Sequence, residues 1–392
     1  MKKIAILTRG FTGSTLPLAK EFIDRGYAVD VYLFTYSEIR EMEALDCNYV
    51  PTKSGVQLIP PSMYSSFSTY IDSKFFNLYC LKLPRPFTNI PIVRNLRKIS
   101  NNYRLTSFAQ KLNDKNYDLV NYVGGYYSIG FLPLLKKVRT RQVVSLHEVC
   151  NHFNPDFERP NKLLKYIFEN NIEVQVYSNN SYNDLLQYKE VNPSNVNIIH
   201  FGNFNTYTTV KESSLVLPDK YILFFGAILP YKGLRILYEA LNILGHNLGE
   251  YKVVVAGKGS DPYLEKMKNY DCYKILNKRL SNGELVKLIK NCKYIVCPYI
   301  TMSQSGIPQT AYVFNKPLLA SNLHGFTEYF HDTDTGITFT VGNPKDLAQK
   351  ISDLSDEHRY NMEVERVRNS NDTKNEYSWC HICDLVENLY LR

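Results

Sequence analysis

The chain has 392 residues, of which 44% are hydrophobic and 21% are charged, and its formal net charge is +8. These proportions exclude a disordered or fibrous protein, and the length favours two domains. We find no apolar run that predicts a membrane-spanning helix and no signal-peptide pattern at the N-terminus. Eight scattered cysteines indicate free thiols in a reducing compartment, so we expect a cytoplasmic protein.

The first half of the chain opens with the pattern of a doubly wound sheet. A strand is predicted at 3–8, a turn at 10–14, then a helix, and a second strand at 28–34. Further strands are predicted at 119–123, 142–147, 173–177 and 196–200. This half also carries most of the excess positive charge, because residues 1–203 hold 24 Lys and Arg against 17 Asp and Glu.

A second α/β alternation follows a polar segment at 205–218, which we interpret as a linker. Strands are predicted at 221–225, 252–256, 273–276, 294–297 and 317–320, with helices that include 234–244 and 283–290. The chain ends in helices, the last at about 374–391. The fold class is therefore α/β, with two doubly wound, Rossmann-like parallel-sheet domains facing a cleft.

Two segments of the second half have the pattern of a phosphate-binding site. The first runs from Gly226 to Leu234, follows a strand and opens a helix, with Lys232 at the helix start. The second runs from Ser303 to Thr310 and precedes a short helix predicted at 310–314. A surface lysine and a plain loop are the alternative interpretations, and spacing alone does not decide between them.

Residues 221–346 resemble the donor domain of GT4-type glycosyltransferases, which are retaining enzymes of the GT-B fold. The family pattern G-R-x-x-x-x-K-G is matched by Gly226 through Gly233, and its A-G-x-G by 256–259. Residues 299–320 resemble its donor-sugar loop, and 321–336, with Gly325 and Glu328, resemble its "GG-x-x-E … TG" segment.

The first half resembles the family more weakly. Residues 10–14, with Gly13, stand where the family has a glycine-rich loop. The segment 144–148 resembles its "T-x-H-D" strand end, whose histidine approaches the donor sugar and is His147 here. His200, a further candidate, is more simply a structural histidine. Residues 376–379 resemble the start of a last helix that crosses back to the first domain. We therefore expect an N-terminal acceptor-side domain at 1–204, a linker at 205–218, a C-terminal nucleotide-sugar donor domain at 219–373 and the last helix at 374–392.

The chain departs from the family pattern at the diphosphate and at the donor loop. The arginine of G-R is Ala227, and Arg235 is a substitute only if its side chain points the right way. Two family glutamates fall at Met302 and Thr310, where neither residue is acidic. Ser305, Gln309 and Thr310 still offer hydrogen bonds.

The resemblance implies transfer of a sugar from a nucleotide-sugar to a glycan or lipid-linked glycan, with retention, in surface polysaccharide biosynthesis. It assigns catalytic roles to Lys232 and His147. Arg279 and Leu280 are expected to border the base. The donor-binding residues expected are Gly13, Gly226, Arg279, Leu280, Ser305, Gly306, Ile307, Gln309, Thr310 and Glu328. The rival hypothesis is a non-catalytic GT-B module that binds a partner or a glycan.

We expect no metal, no other cofactor and no nucleic-acid partner. Asp332 and Asp334 are interpreted as turn residues rather than as a metal-binding DxD. Cys380 and Cys383 are more simply helix cysteines than half of a zinc site, since no second CxxC exists.

A basic amphipathic segment in the first half predicts a membrane surface. If residues 91–112 are helical, one face carries an apolar stripe, Ile92, Leu96, Ile99 and Tyr103. The opposite side carries a basic face, Arg94, Arg97, Lys98 and Arg104. With the apolar run at 75–81, residues 75–112 are expected to dock peripherally on anionic lipid. A core-packed helix with a solvated basic face is the alternative.

Overall fold

The computed structural model describes residues 1–36, 47, 49–64, 71, 74–85, 89–151, 156–302 and 304–391. The chain divides into two compact units, Met1–Gly202 with Trp379–Arg392, and Asn203–Ser378. The segment predicted as a linker lies in the second unit, where it begins with a 3₁₀ turn at Asn205–Thr209 and Ser213 N–H donates to the Gly283 carbonyl.

The first unit is built on an eight-stranded sheet in the order β3-β4-β2-β1-β5-β6-β7-β8. Only β3, which pairs with β4, is antiparallel among these strands. The central strand β1 is apolar and almost wholly buried, as expected for a parallel strand covered on both faces. The strands are β1 Lys3–Thr8, β2 Ala28–Thr35, β3 Gly55–Leu58, β4 Phe76–Lys82, β5 Leu119–Gly124, β6 Arg141–Leu146, β7 Glu173–Val176 and β8 Val196–Ile198.

The first helix of this unit begins earlier in the sequence than predicted. Helix α1 begins at Thr12, with Phe11 as its N-cap, so Gly13 lies in the first helical turn and not in a loop. The helices up to the unit boundary are α1 Thr12–Asp24, α2 Pro91–Asp114, α3 Leu132–Leu135, α4 Lys162–Glu169 and α5 Asn179–Leu185.

Only part of the segment predicted to bind a membrane is exposed on the protein surface. Residues 76–82 form β4, a strand between β2 and β3 whose Leu78, Cys80 and Leu81 are fully buried, so this part of the prediction is wrong. Its apolar run serves the core because the strand is covered from both faces. The first half of α2, by contrast, is exposed to solvent. Its apolar stripe is 61–75% exposed, whereas Leu105, Phe108, Ala109 and Leu112 in the second half are buried.

The second unit is a fully parallel six-stranded sheet in the order β11-β10-β9-β12-β13-β14. Its strands are β9 Tyr221–Phe225, β10 Lys252–Gly257, β11 Tyr273–Asn277, β12 Ile295–Cys297, β13 Leu318–Ser321 and β14 Ile337–Phe339. Its helices are α6 Leu234–Ile243, α7 Tyr263–Met267, α8 Asn282–Asn291, α9 Ile307–Val313, α10 His324–Thr333, α11 Pro344–Asp353 and α12 Glu357–Thr373.

The last helix, α13 Trp379–Leu391, belongs to the first unit and packs on α1. Arg25 pairs with Asp384 at 2.7 Å and with Glu387 at 2.8 Å. Arg141 donates to the carbonyls of Leu389 and Tyr390, the last turn of the helix, at 2.8 and 2.9 Å. A cation at a helix C-terminus satisfies carbonyls that lack partners within the helix. No helix in the described part of the chain combines the length and apolar composition needed to cross a bilayer.

Candidate active site

The loop after β9 places Lys232 at a fixed point beside β12. Pro230–Lys232 forms a 3₁₀ turn, and Gly233, with φ +75°, caps helix α6. A Cβ on Gly233 would stand 1.7 Å from the Pro298 carbonyl oxygen, so only glycine allows this approach. Ile300 N–H donates to the Tyr231 carbonyl at 2.8 Å and joins the two loops.

Lys232 is a cation held against aromatic rings. Its Nζ lies 3.8 Å from the centroid of the Tyr299 ring and 5.0 Å from that of Tyr231. Burial lowers the pKa of Lys232 to about 8. Across the described residues, no ion pair with a carboxylate accompanies it. A half-buried ammonium group without an acidic neighbour is suited to an anionic ligand. Tyr299 lies two residues after β12 and begins the segment that resembles the donor-sugar loop, but the sequence pattern gives it no role at the site.

The neighbouring loop after β10 runs alongside this one. Ile228 and Gly259 form a parallel bridge, and a Cβ on Gly257 would lie 1.7 Å from the Gly226 carbonyl oxygen. The Asn277 side chain, at the end of β11, accepts from Gly259 N–H at 3.1 Å and donates to its carbonyl at 3.0 Å. Three strand ends are thus joined at one edge of the sheet, where Gly226 lies.

Arg235, the candidate for the missing arginine, is engaged elsewhere. Its guanidinium donates to both carboxylate oxygens of Glu239, one turn along α6, at 2.9 Å each. The side chain is therefore directed along the exposed face of the helix. This leaves Lys232 as the cation that the motif contributes.

The donor-loop helix α9 begins three residues earlier than predicted. Ile307 N–H donates to Ser305 Oγ at 3.3 Å, and the Thr310 hydroxyl donates to the Gly306 carbonyl at 2.7 Å. Gln309 is buried, and its Oε1 has no hydrogen-bond partner among the described residues. A Cβ on Gly306 would lie 2.4 Å from the Phe204 ring. Ser303, which the prediction also included, lies outside the described residues.

The remaining donor-side candidates lie in two places. Glu328 is largely buried on α10, with its Oε2 3.6 Å from His324 Nδ1. Arg279 is exposed and Leu280 half-buried in the turn that leads from β11 to α8. That turn ends at Ser281, whose capping box with Glu284 begins the helix.

In the first unit, His147 follows β6 and stands between two aromatic rings. Phe11 stacks on one face at 3.9 Å between centroids and Tyr177 on the other at 4.1 Å. Nε2 lies 3.4 Å from the hydroxyl of Ser14, one residue after Gly13 in α1. Burial lowers the pKa of His147 to about 3, so the ring is neutral at physiological pH.

Three other sequence candidates have structural partners. His200 Nδ1 lies 2.9 Å from the Tyr177 carbonyl oxygen. Asp332 accepts from the Tyr377 hydroxyl at 2.7 Å, and Asp334 pairs with Arg366 at 2.8 Å. Cys380 is exposed and the Cys383 side chain is buried. The described residues contain no group of three or more His, Cys, Asp or Glu side chains arranged to hold a metal ion.

Comparison with known proteins identifies the protein class. Residues 219–357 match the family model described as glycosyl transferases group 1. The chain is a glycosyltransferase, and the matched residues of its second unit are similar to this group. An uncharacterized glycosyltransferase of Methanocaldococcus jannaschii is 22% identical over 303 residues, which cover 74% of this chain and 80% of that protein.

Solved structures extend the likeness to the whole glycosyltransferase chain. A glycosyltransferase from Rickettsia africae superposes with a TM-score of 0.67 at 15% identity, covering 99% of this chain and 97% of that one. The Anabaena protein HepE in complex with UDP-glucose gives a TM-score of 0.66 at 16% identity, with 100% of both chains covered. At such identities the likeness shows the fold, and it confirms the predicted GT-B class.

Proposed function

We propose that this glycosyltransferase moves a hexose from a nucleoside diphosphate sugar to a glycan or lipid-linked glycan, with retention at the anomeric carbon. The observation that carries the proposal is Lys232, a half-buried cation on aromatic rings with no ion pair among the described residues. Breaking the bond from the anomeric carbon to the diphosphate leaves negative charge on the departing oxygen. A preorganised cation in a poorly solvated place stabilises that charge strongly.

His147 is assigned a polar but uncharged role. Because burial lowers its pKa to about 3, it does not serve as an acid near neutral pH. A neutral imidazole still offers one N–H donor and one acceptor to sugar hydroxyls. Retention follows from the resemblance to the GT4-type family, and no carboxylate stands at the donor-loop positions 302 and 310. A same-face displacement therefore suits the chain better than a covalent glycosyl-enzyme.

The test is hydrolysis and transfer with a panel of UDP-, GDP- and ADP-sugars. UDP-glucose is the first donor to try, since the structurally similar HepE is described in complex with it. We expect release of the nucleoside diphosphate from one donor class, and the anomeric configuration of the product, read by NMR, to match that of the donor. Inversion would contradict retention.

The rival, a non-catalytic module, is favoured by Ala227, Met302 and Thr310, where the family has charged residues. The two functions separate in a thermal-shift assay followed by turnover. Stabilisation by a nucleoside diphosphate together with turnover supports the enzyme. Stabilisation by glycan alone, without turnover of any donor, supports the binding module.

We further propose that helix α2 brings the enzyme to an anionic membrane, where a lipid-linked acceptor of surface polysaccharide biosynthesis would lie. The apolar stripe is 61–75% exposed, so its insertion is worth at most about 1–2 kcal/mol for each of four side chains. The basic face lies across the helix, about 10 Å away. That is one Debye length, so each charge contributes less than the roughly 1 kcal/mol of a residue at the lipid surface.

A further inference from the structure

A short chain of contacts connects His147 with the first turn of α1. The Ser14 hydroxyl donates to the Phe11 carbonyl at 3.3 Å. The same Ser14 Oγ lies 3.4 Å from His147 Nε2. Both distances are long, so each contact is weak, but the two share one hydroxyl group. The direction of the hydrogen bonds at this hydroxyl therefore bears on which nitrogen of His147 carries the proton.

A count of hydrogens gives that direction. A serine hydroxyl has one hydrogen and two lone pairs, and a backbone carbonyl only accepts. The Phe11 carbonyl has two lone pairs, of which Thr15 N–H uses one at 3.1 Å, so it also accepts the Ser14 hydrogen. The contact with His147 is then a hydrogen bond only if Nε2–H donates to Ser14 Oγ. The other tautomer would set two lone pairs face to face, or turn the Ser14 hydrogen away from Phe11 and lose one hydrogen bond.

The second ring nitrogen of His147 is left as an acceptor. A neutral imidazole has one N–H and one acceptor nitrogen, and burial keeps this ring neutral by lowering its pKa to about 3. With the hydrogen on Nε2, the acceptor is Nδ1. Among the described residues, Nδ1 has no hydrogen-bond partner. Because Phe11 and Tyr177 cover the two faces of the ring, a ligand approaches the imidazole only at its edge.

We propose that Ser14 is a positioning residue that holds His147 as the Nε2–H tautomer, so that Nδ1 accepts a hydrogen bond from a hydroxyl of the donor sugar. The proposal rests on the proposed function in placing the sugar at His147. It makes the site selective, since Nδ1 binds a group that donates, such as a hydroxyl, and not a group that only accepts, such as fluorine. Ser14 contributes to this selectivity without contacting the sugar.

The tautomer is measured first, in the full chain without substrate. The ¹⁵N NMR spectrum of histidine-labelled protein distinguishes a protonated ring nitrogen from one with a lone pair, and His147→Gln assigns the signals. We expect the Nε2–H tautomer in the wild type and a mixture in Ser14→Ala. Thr15→Val is the matched control, because the Thr15 hydroxyl is buried and has no partner among the described residues. A wild-type proton on Nδ1, or a Ser14→Ala spectrum equal to that of the wild type, would overturn the proposal.

Donor analogues then test the consequence for binding. For the nucleotide-sugar that the donor panel identifies, Kd is compared with those of its monodeoxy and monodeoxyfluoro analogues. At one hydroxyl of the sugar, both replacements should weaken binding to the wild type about 3- to 10-fold, the scale of one neutral hydrogen bond. In Ser14→Ala the loss with the fluoro analogue should be smaller, because part of the enzyme presents Nδ1–H. Thr15→Val should match the wild type.

The outcomes separate this proposal from the proposed function. If fluorine binds as tightly as the hydroxyl wherever the deoxy analogue binds weakly, His147 donates, and the proposal is overturned although the enzyme transfers sugar. If the tautomers are as expected but no nucleotide-sugar binds or turns over, the proposed function fails, and the role of Nδ1 at a sugar fails with it. The effect of Ser14 on the tautomer then stands alone.

Discussion

We expect kcat/KM to fall at alkaline pH because Lys232 loses its proton there; this fall is the alkaline limb of the pH–rate profile. Its pKa is lowered to about 8 by burial, so about nine-tenths of the free enzyme carries the charge at pH 7 and about one-tenth at pH 9. If the charged form binds and stabilises the diphosphate, kcat/KM falls about tenfold between these pH values. Bound diphosphate favours the ammonium form, so the limb in kcat should lie at higher pH.

Two substitutions separate the charge from the side chain. Lys232→Ala should lower turnover about 10²- to 10³-fold, the scale of one preorganised charge-stabilising contact. Lys232→Arg should keep part of the activity and lose the limb, because a guanidinium stays charged above pH 12. Arg235→Ala is the control, since that cation is paired with Glu239, and it should behave as wild type.

The lowered pKa of Lys232 also affects the stability of the fold. The charged form of Lys232 favours turnover, but it destabilises the folded state. The folded-state pKa lies below the ordinary 10.5, so folding disfavours the charged form. The penalty is complete below pH 8 and disappears as the pH rises through 8 toward 10.5. Lys232→Met should therefore raise Tm at pH 7 and gain little at pH 10.5. A flat kcat/KM profile from pH 7 to 9.5, or a Lys232→Ala enzyme of near wild-type turnover, would refute the reasoning.

Three further predictions concern metal, membrane and backbone. Turnover should survive EDTA, because lysine and backbone N–H groups can take the place of a metal ion at the diphosphate; loss of activity restored by magnesium or manganese would contradict this. In liposome sedimentation, changing Ile92, Leu96 and Ile99 to Ser should abolish binding, whereas Gln at the basic face should only reduce the preference for anionic lipid; equal binding by the Ser variant would exclude this helix. Gly233→Ala should destabilise the second unit by more than about 3 kcal/mol in chemical denaturation, because a Cβ there meets a backbone carbonyl at positive φ; a wild-type midpoint would show that the loop can shift.

The sheets were predictable where an apolar run is bounded by turn residues. Strands β1 and β9 begin and end as predicted, because each is a short continuous run buried on both faces. The apolar run of β4 instead predicts a membrane-binding surface. Its run at 75–81 is as apolar as the others, but its burial depends on pairing with β2 and β3, which lie far away in sequence.

The sequence motifs predict where the candidate site residues lie along the chain, but they do not predict which side chains surround them. The sequence placed Lys232 at a helix start and His147 at a strand end, and both lie there. The aromatic rings that lower the exposure of each group come from other segments, Tyr299 for the lysine and Phe11 and Tyr177 for the histidine. Short-range patterns carry no information about such contacts, so neither pKa shift was foreseeable.

The partly buried position of Lys232 can compensate for the second cation that the motif lacks. With alanine at position 227 and Arg235 paired to Glu239, the motif contributes one cation where the GT4-type pattern that it resembles has two. A single exposed lysine would be screened by water and salt. Withdrawn onto Tyr299 and partly desolvated, the same lysine interacts more strongly with an anion, at the expense of a pKa near the working pH. A chain built this way lacks the pH-insensitive arginine and depends on a lysine whose charge changes with pH, so its activity should respond to alkalinity more than that of a glycosyltransferase that keeps both cations.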